Sequence, residues 1–170
     1  MIKFLSIFPC VVFVTAAIAH DGTVTISGTI QDNTCEIAAD SQSQTIKMGG
    51  VPVNMFHSTG DKGPPISFSI DLENCGPAAS GANVTFSGTP DEQDKRYFSV
   101  QVNQNSAVGI AMGIYSGDSV LIEPGKASDS YPLESNAAAS LNFFARYVSV
   151  KDEVSAGNAN VILTFLLSYN

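Results

Sequence analysis

The sequence predicts an all-β fold, an antiparallel sandwich of about nine short strands. Three observations predict it. Apolar and polar residues alternate near both ends of the chain, strand-like runs recur between glycine and proline turn signals, and helical periodicity with caps is nowhere sustained. Neither an internal repeat nor a linker divides the chain, so we expect a single domain.

The clearest alternation occupies the last fourteen residues, from Gly157 to Asn170. Polar residues take most of one parity, with Ile162 and Leu166 as exceptions. The apolar residues of the other parity are Val161, Leu163, Phe165, Leu167 and Tyr169. Strand side chains point alternately to opposite faces, so this segment predicts a terminal strand with one continuous apolar face.

The interior of the chain repeats the pattern of short apolar runs. Between them lie turn signals such as Gly49-Gly50, Gly76-Pro77 and Pro124-Gly125. The predicted interior strands are Gln44 to Met48, Ile66 to Leu72, Val84 to Ser87, Tyr97 to Val102, Val108 to Tyr115, Ser119 to Ile122 and Leu141 to Val150.

The first nineteen residues have the features of a secretory signal. Lys3 precedes an apolar stretch, and Ala17-Ile18-Ala19 is typical of a signal peptidase site. Pro9 interrupts the short apolar stretch, which makes a retained membrane span the weaker interpretation. We therefore predict cleavage after Ala19, export through the periplasm, and a mature chain of 151 residues without membrane insertion.

Composition and cysteine usage limit the partners and the chemistry. The chain has 16 acidic and 8 basic residues, and the basic residues are scattered, so nucleic acid is not a predicted partner. Cys35 and Cys75 are the two cysteines that remain after the signal, and in an oxidising compartment they are predicted to pair. A metal pair or a catalytic thiol lacks support, because there is no Cys-x-x-Cys spacing and only His20 and His57 could assist.

Several stretches together resemble one family, the type 1 fimbrial (chaperone–usher) pilin subunits. They include residues 22–30 followed by Cys35, the alternating C-terminal strand, the penultimate Tyr169, and Gly157 fourteenth from the end. Internal blocks such as Asn142 to Tyr147 are also similar. The resemblance covers the whole mature chain and favours a minor, adaptor-like subunit, because the stretch before Cys35 is short.

The resemblance implies an immunoglobulin-like sandwich that lacks its last strand, over residues 32–170, preceded by a donor-strand extension at residues 20–31. A periplasmic chaperone, an outer-membrane usher and other fimbrial subunits are the implied partners, and the extracellular fimbrium is the implied location. The implied donor residues are Val24, Ile26, Gly28 and Ile30. The implied chaperone or groove strand carries Gly157, Val161, Leu163, Phe165, Leu167 and Tyr169. A competing interpretation makes residues 22–31 an edge strand of the same domain.

Enzymatic chemistry has little support in the sequence. There is no Gly-x-Ser-x-Gly motif, only two histidines could act as bases, and no cofactor is predicted. One alternative is a copper-binding, polysaccharide-active enzyme that uses His20 as the new N-terminus with His57. Another is a single-domain carbohydrate-binding adhesive module. Fimbrial tip adhesins carry a lectin domain ahead of the pilin domain, and 151 residues leave no room for it, so adhesion by this chain itself is disfavoured.

Overall fold

The computed structural model of the protein describes residues 26–30 and 32–170. The chain divides into two compact units, residues 1–30 and residues 31–170. In the first unit, residues 26–30 form no regular secondary structure. The predicted signal and Val24 lie outside the described residues.

The second unit is almost entirely β-structure. Its helical elements are α1 (Ala39–Gln42) and a 3₁₀ turn (Val53–Met55). Its strands are β1 (Glu36–Ile37), β2 (Ile66–Glu73), β3 (Gly81–Ser87), β4 (Phe98–Ser99), β5 (Ile110–Ser116), β6 (Leu121–Ile122), β7 (Tyr131–Pro132), β8 (Ala139–Ser149) and β9 (Thr164–Tyr169).

The strands form two sheets. The larger sheet has the order β1-β2-β8-β5-β4, with β6 also paired to β5, and the smaller sheet has the order β7-β3-β9. Every named pair is antiparallel. The predicted all-β sandwich is confirmed, and it is an incomplete immunoglobulin-like sandwich because the smaller sheet stops at β9.

Aromatic packing joins the two sheets. Phe143 of β8 is fully buried, and its ring centroid lies 5.2 Å from that of Phe86 on β3 in an edge-to-face contact. Phe68 of β2 stacks on Phe143 at 5.4 Å. Such pairs bury large apolar areas in preferred ring geometries, so they fix the sheets against each other.

The predicted strand bounds need correction at three places. Residues 44–48 form no strand. Of the strand predicted from Tyr97 to Val102, only β4 (Phe98–Ser99) forms. The Gln101 amide donates to the Asn160 carbonyl and does not continue the pairing with β5. The C-terminal strand begins at Thr164 rather than Gly157, because Asn158 hydrogen-bonds to the loop at Asn105 instead of to β3. No helix among the described residues is both long and apolar enough to cross a membrane.

Candidate functional site

A long groove runs between the two sheets, and β9 forms part of one wall. The groove has a volume of about 1170 Å³. Pockets for small molecules are usually about 300–1,000 Å³. Its size therefore suits an extended segment of polypeptide better than a compact ligand.

The wall on the β9 side is a free sheet edge. β9 pairs with β3 alone, and within the described residues no strand covers its other side. On β3, Val84 and Phe86 direct their carbonyl oxygens away from β9, where the amides of Ser128 and Gly125 donate to them. Opposed residues of an antiparallel ladder share this orientation, so their partners Leu167 and Phe165 point their backbone N–H and C=O groups to the free edge.

The opposite wall is the segment 44–51, and the sequence predicted a strand for its first part, residues 44–48. Among the residues that the structure describes, none forms a hydrogen bond with the backbone of residues 44–51. Gln44 holds the segment in place through its side-chain amide, which donates to the Ser69 carbonyl at 2.9 Å. Both walls therefore present backbone groups that an inserted strand could pair with.

The floor of the groove is apolar. Inner-face side chains of both sheets form it, namely Phe68, Ile70, Phe86, Ile110, Met112, Ile114, Ala145 and Tyr147. Burial raises the pKa of Tyr147, and its hydroxyl donates to the Ala159 carbonyl at 2.9 Å, which ties the floor to the β9 wall.

Charged groups are nearly absent from the groove. Among its described lining residues, Lys47 is the one charged side chain, and none is Asp, Glu, His or Cys. General acid–base chemistry and metal binding both need such groups in proximity. This site can bind an apolar strand, but its residues offer no catalytic constellation.

A sequence profile of the family described as fimbrial protein matches residues 24–170. The chain belongs to the fimbrial protein family. An uncharacterised fimbrial-like protein of Escherichia coli, YcbV, is 40% identical to it over 152 residues, which is 89% of this chain and 88% of that one.

Solved structures agree with this membership. A crystal structure of a Burkholderia pseudomallei antigen and type I fimbria protein aligns with a TM-score of 0.62 at 31% identity, over 81% of this chain and 90% of that one. The P pilus rod subunit PapA aligns with a TM-score of 0.66 at 20% identity, over 80% and 99%. At that identity PapA supports the fold alone.

The fimbrial protein brings most of the predicted C-terminal residues to the groove. Gly157, Val161, Leu163 and Phe165 line it, whereas Leu167 and Tyr169 pack half-buried against the core. The side chains of Ile162 and Leu166, the two exceptions to the alternation, are 71% and 64% exposed. Ile162 lies before β9 and also lines the groove, whereas Leu166 is on the outer face of β9.

The structure gives a steric reason for glycine at position 157, which the sequence pattern did not reveal. A Cβ at this position would overlap the backbone of Ser106 and Ala107. The close approach lets Asn158 bond to Asn105 and Ala107 on the same loop. Glycine at position 157 therefore allows this part of the groove wall to pair with the loop at residues 105–107 rather than with β3.

The predicted cysteine pair forms a disulfide in the structure, Cys35–Cys75. Tyr169 reaches the same place, since its hydroxyl donates to the Cys35 carbonyl at 3.0 Å. The penultimate tyrosine thus joins the end of the free-edge strand to the point where residue 35 enters the domain.

Of the predicted donor residues, the structure describes Ile26, Gly28 and Ile30. The side chains of Ile26 and Ile30 are 91% and 102% exposed. At Gly28 an added Cβ would meet nothing within 4 Å, and the backbone is not in the left-handed region. Nothing in the described part of the fimbrial protein requires glycine there.

Sequence reasoning missed one wall and most of the floor. Residues 44–48 were assigned to a strand, and no periodicity marks Tyr147 or Met112 as groove residues rather than ordinary core. The copper alternative involves His20, which lies outside the described residues. His57 is exposed, and the described residues contain no cluster of three potential metal ligands.

Proposed function

We propose that this fimbrial protein is a structural, non-enzymatic subunit that polymerises by donor-strand exchange. Its N-terminal extension inserts into the groove of a neighbouring subunit, and its own groove receives the extension of another. The free edge of β9 above an apolar groove is the observation that carries the proposal. Addition of a strand to an exposed sheet edge is a general recognition mode, of which pilin complementation is one instance.

The extension and the groove have matching periodicities. A strand advances about 3.4 Å per residue, so alternate side chains of the extension would be about 6.8 Å apart once it pairs as a strand, the same spacing as Phe165, Leu167 and Tyr169 on β9. Burial of Val24, Ile26 and Ile30 would contribute roughly 5–9 kcal/mol before ordering costs, at about 1.5–3 kcal/mol per side chain.

Gly28 supports an intermolecular role for the extension. Its place in the apolar parity is occupied by hydrogen, although its own surroundings leave room for a side chain. In this proposal, a steric demand for glycine comes from the surface that receives the extension. A larger residue should be rejected by that surface.

Before assembly the open groove needs protection, because a free edge with apolar side chains promotes aggregation. A periplasmic chaperone that lends a strand would meet this need, and an outer-membrane usher would exchange it for the next subunit. In this proposal residues 1–19 direct export, residues 20–31 form the donor strand, and residues 32–170 form the acceptor domain of an extracellular fimbria.

The extension is tested by deleting residues 21–31. The deleted subunit should still bind its chaperone in a periplasmic pull-down, because the groove is unchanged, yet it should not join the subunit whose groove it fills. Degradation of the deleted protein before it reaches the chaperone would instead assign these residues to its own sheet.

A matched pair of substitutions sharpens this test. Gly28→Leu should reduce the amount of subunit in purified fimbriae strongly, because it adds bulk to the groove-facing side of the donor. Ser27→Leu adds comparable bulk to the opposite face and should leave incorporation nearly unchanged. Equal effects of the two variants would contradict insertion with this parity.

The adaptor-like position stays a prediction. Quantitative mass spectrometry of purified fimbriae would give the abundance of this subunit relative to the others. An adaptor should be rare in the fibre, and a subunit that dominates the preparation would contradict that position.

A further inference from the structure

A cationic aromatic cluster lies on the outer face of the larger sheet, on the side away from the groove. The Lys62 ammonium lies 5.3 Å and the Arg146 guanidinium 5.6 Å from the centre of the Tyr115 ring. Beside them, Arg96 lies 5.6 Å from the ring of Tyr97. We call Lys62, Arg146, Tyr115 and Tyr97 the outer cluster.

The cluster is built by the register of the sheet. Arg146 of β8 is directly opposite Gly113 of β5, which leaves space on the outer face. The Tyr115 ring folds back into that space, because a Cβ on Gly113 would lie 2.8 Å from Tyr115 Cε2. The rings of Tyr115 and Tyr97 are only 6% and 7% exposed, so the cations lie on a fixed platform.

Two buried polar atoms of the cluster lack partners. Tyr115 Oη and Arg146 Nε have no hydrogen-bond partner among the residues that the structure describes. The Tyr97 hydroxyl lies nearby, but the two hydroxyls do not meet hydrogen-bond geometry. Burial raises the pKa of Tyr115, so its hydroxyl keeps its proton at neutral pH and can donate. Buried polar groups are normally satisfied, and orphaned ones indicate a missing partner.

The positive charge of the cluster is also unbalanced. In the described part of the chain the ion pairs are Arg96–Asp94 and Lys126–Glu123, and neither involves Lys62 or Arg146. Since both cations lie near one ring centre, they are at most about 11 Å apart. This arrangement occurs in a chain with 16 acidic and 8 basic residues, where carboxylates are abundant.

We propose that Lys62, Arg146 and Tyr115 form a carboxylate-binding site, and that its occupant is an exposed Asp or Glu side chain of a neighbouring subunit in the fibre. The inference rests on the proposed assembly into fibres. Lys62 is exposed and can move aside, so that one carboxylate can accept hydrogen bonds from the ammonium and the guanidinium.

The geometry favours a protein carboxylate over an acidic saccharide. Saccharide sites use exposed aromatic faces for stacking, and both tyrosine rings here are buried. A surface ion pair strengthens binding by only about fivefold or less, which is too weak to hold a free ligand. Within a fibre the effective concentration of a neighbour reaches the millimolar range, and a weak contact can then be occupied.

Zero-length carbodiimide cross-linking of purified fimbriae tests the proposal, because it joins an amine to a carboxylate only where the two are in contact. Mass spectrometry should find Lys62 joined to an Asp or Glu of another subunit, with mixed isotope labelling to distinguish links between copies. The Lys126–Glu123 pair, at 2.7 Å within one chain, is the internal control.

Substitution of the guanidinium gives the second measurement. Arg146→Gln should lower the yield of the Lys62 link between subunits by about fivefold, the equivalent of a surface ion pair of roughly 1 kcal/mol. Lys126→Gln makes the same change of charge elsewhere and should leave that yield unchanged. Even if the Arg146 variant does not fold, the link in the wild-type fibre decides the proposal.

Other outcomes would overturn it. One is fibres in which Lys62 stays unlinked, or links only within its own chain, while Lys126 and Glu123 are joined. Another is binding of a sialylated glycan that Arg146→Gln abolishes, which would assign the cluster to a saccharide. Absence of any fibre from the wild-type chain would overturn the proposed function, and this contact with it.

Discussion

The sheet edges of this molecule differ in length. The edge strands β1, β4 and β7 each have two residues, whereas β9 has six. β7 also ends in Pro132, which has no N–H to offer a partner strand. Short edges and edge prolines are devices that prevent association. Three edges are thus protected, and β9 is left able to pair.

The protected and free edges also differ in what covers them. At β4, the Ser99 amide donates to the Thr89 carbonyl, so the preceding loop covers that edge. At β1, the disulfide ties Cys35 to Cys75 beside the strand. The free edge of β9 faces an apolar groove instead. Pairing with a further strand is therefore directed to the β9 edge.

The largest expected effect comes from removing the covalent tie at the protected β1 edge. Replacing Cys35 and Cys75 together by serine releases a loop with a sequence separation of 40. The free energy of unfolding should fall by about 4 kcal/mol, because the unfolded chain regains conformational freedom. Guanidinium unfolding of the subunit saturated with a peptide of residues 21–31 measures it. A fall below about 1 kcal/mol would mean that the β1–β2 ladder alone protects this edge.

A smaller effect is expected at the free edge, where two neighbouring residues face opposite sides. Phe165→Ser removes a half-buried groove contact and should cost roughly 2 kcal/mol of stability and reduce chaperone capture. Leu166→Ser alters a side chain that is 64% exposed on the outer face, and its effect should stay within about 0.5 kcal/mol. Pull-down yield and unfolding midpoints of both variants give the comparison. Equal losses would contradict the assignment of the groove to one face of β9.

The smallest effect is expected where the end of β9 meets the protected β1 edge, at the contact between Tyr169 and Cys35. Tyr169→Phe keeps the ring and removes the hydrogen bond to the Cys35 carbonyl, which should cost about 1 kcal/mol. Amide exchange should then become faster at the end of β9 while the core strands are unchanged. Unaltered exchange at β9 would show that the hydroxyl does not hold this strand end.

Much of the fold could be predicted from local patterns. Alternation in the runs that became β2, β3 and β8 reports which side chains face the core, because the period of a strand is fixed by its backbone. The parity of Val161 to Tyr169 and the pairing of Cys35 with Cys75 were likewise readable from spacing and compartment. Residues 44–48 were mispredicted because an alternating segment becomes a strand only when a neighbour completes its ladder.

The sequence by itself determined the strand parities, the two cysteines available to pair, and an alternating N-terminal segment with three apolar side chains and a glycine. Only the tertiary structure decided which edge stays free, why Gly157 must lack a side chain, and how Gly113 makes room for Tyr115 beneath Lys62 and Arg146. The physical reason is that alternation depends on neighbours along the chain, whereas edge exposure, close backbone approach and charge clustering depend on residues far apart in sequence that packing brings together.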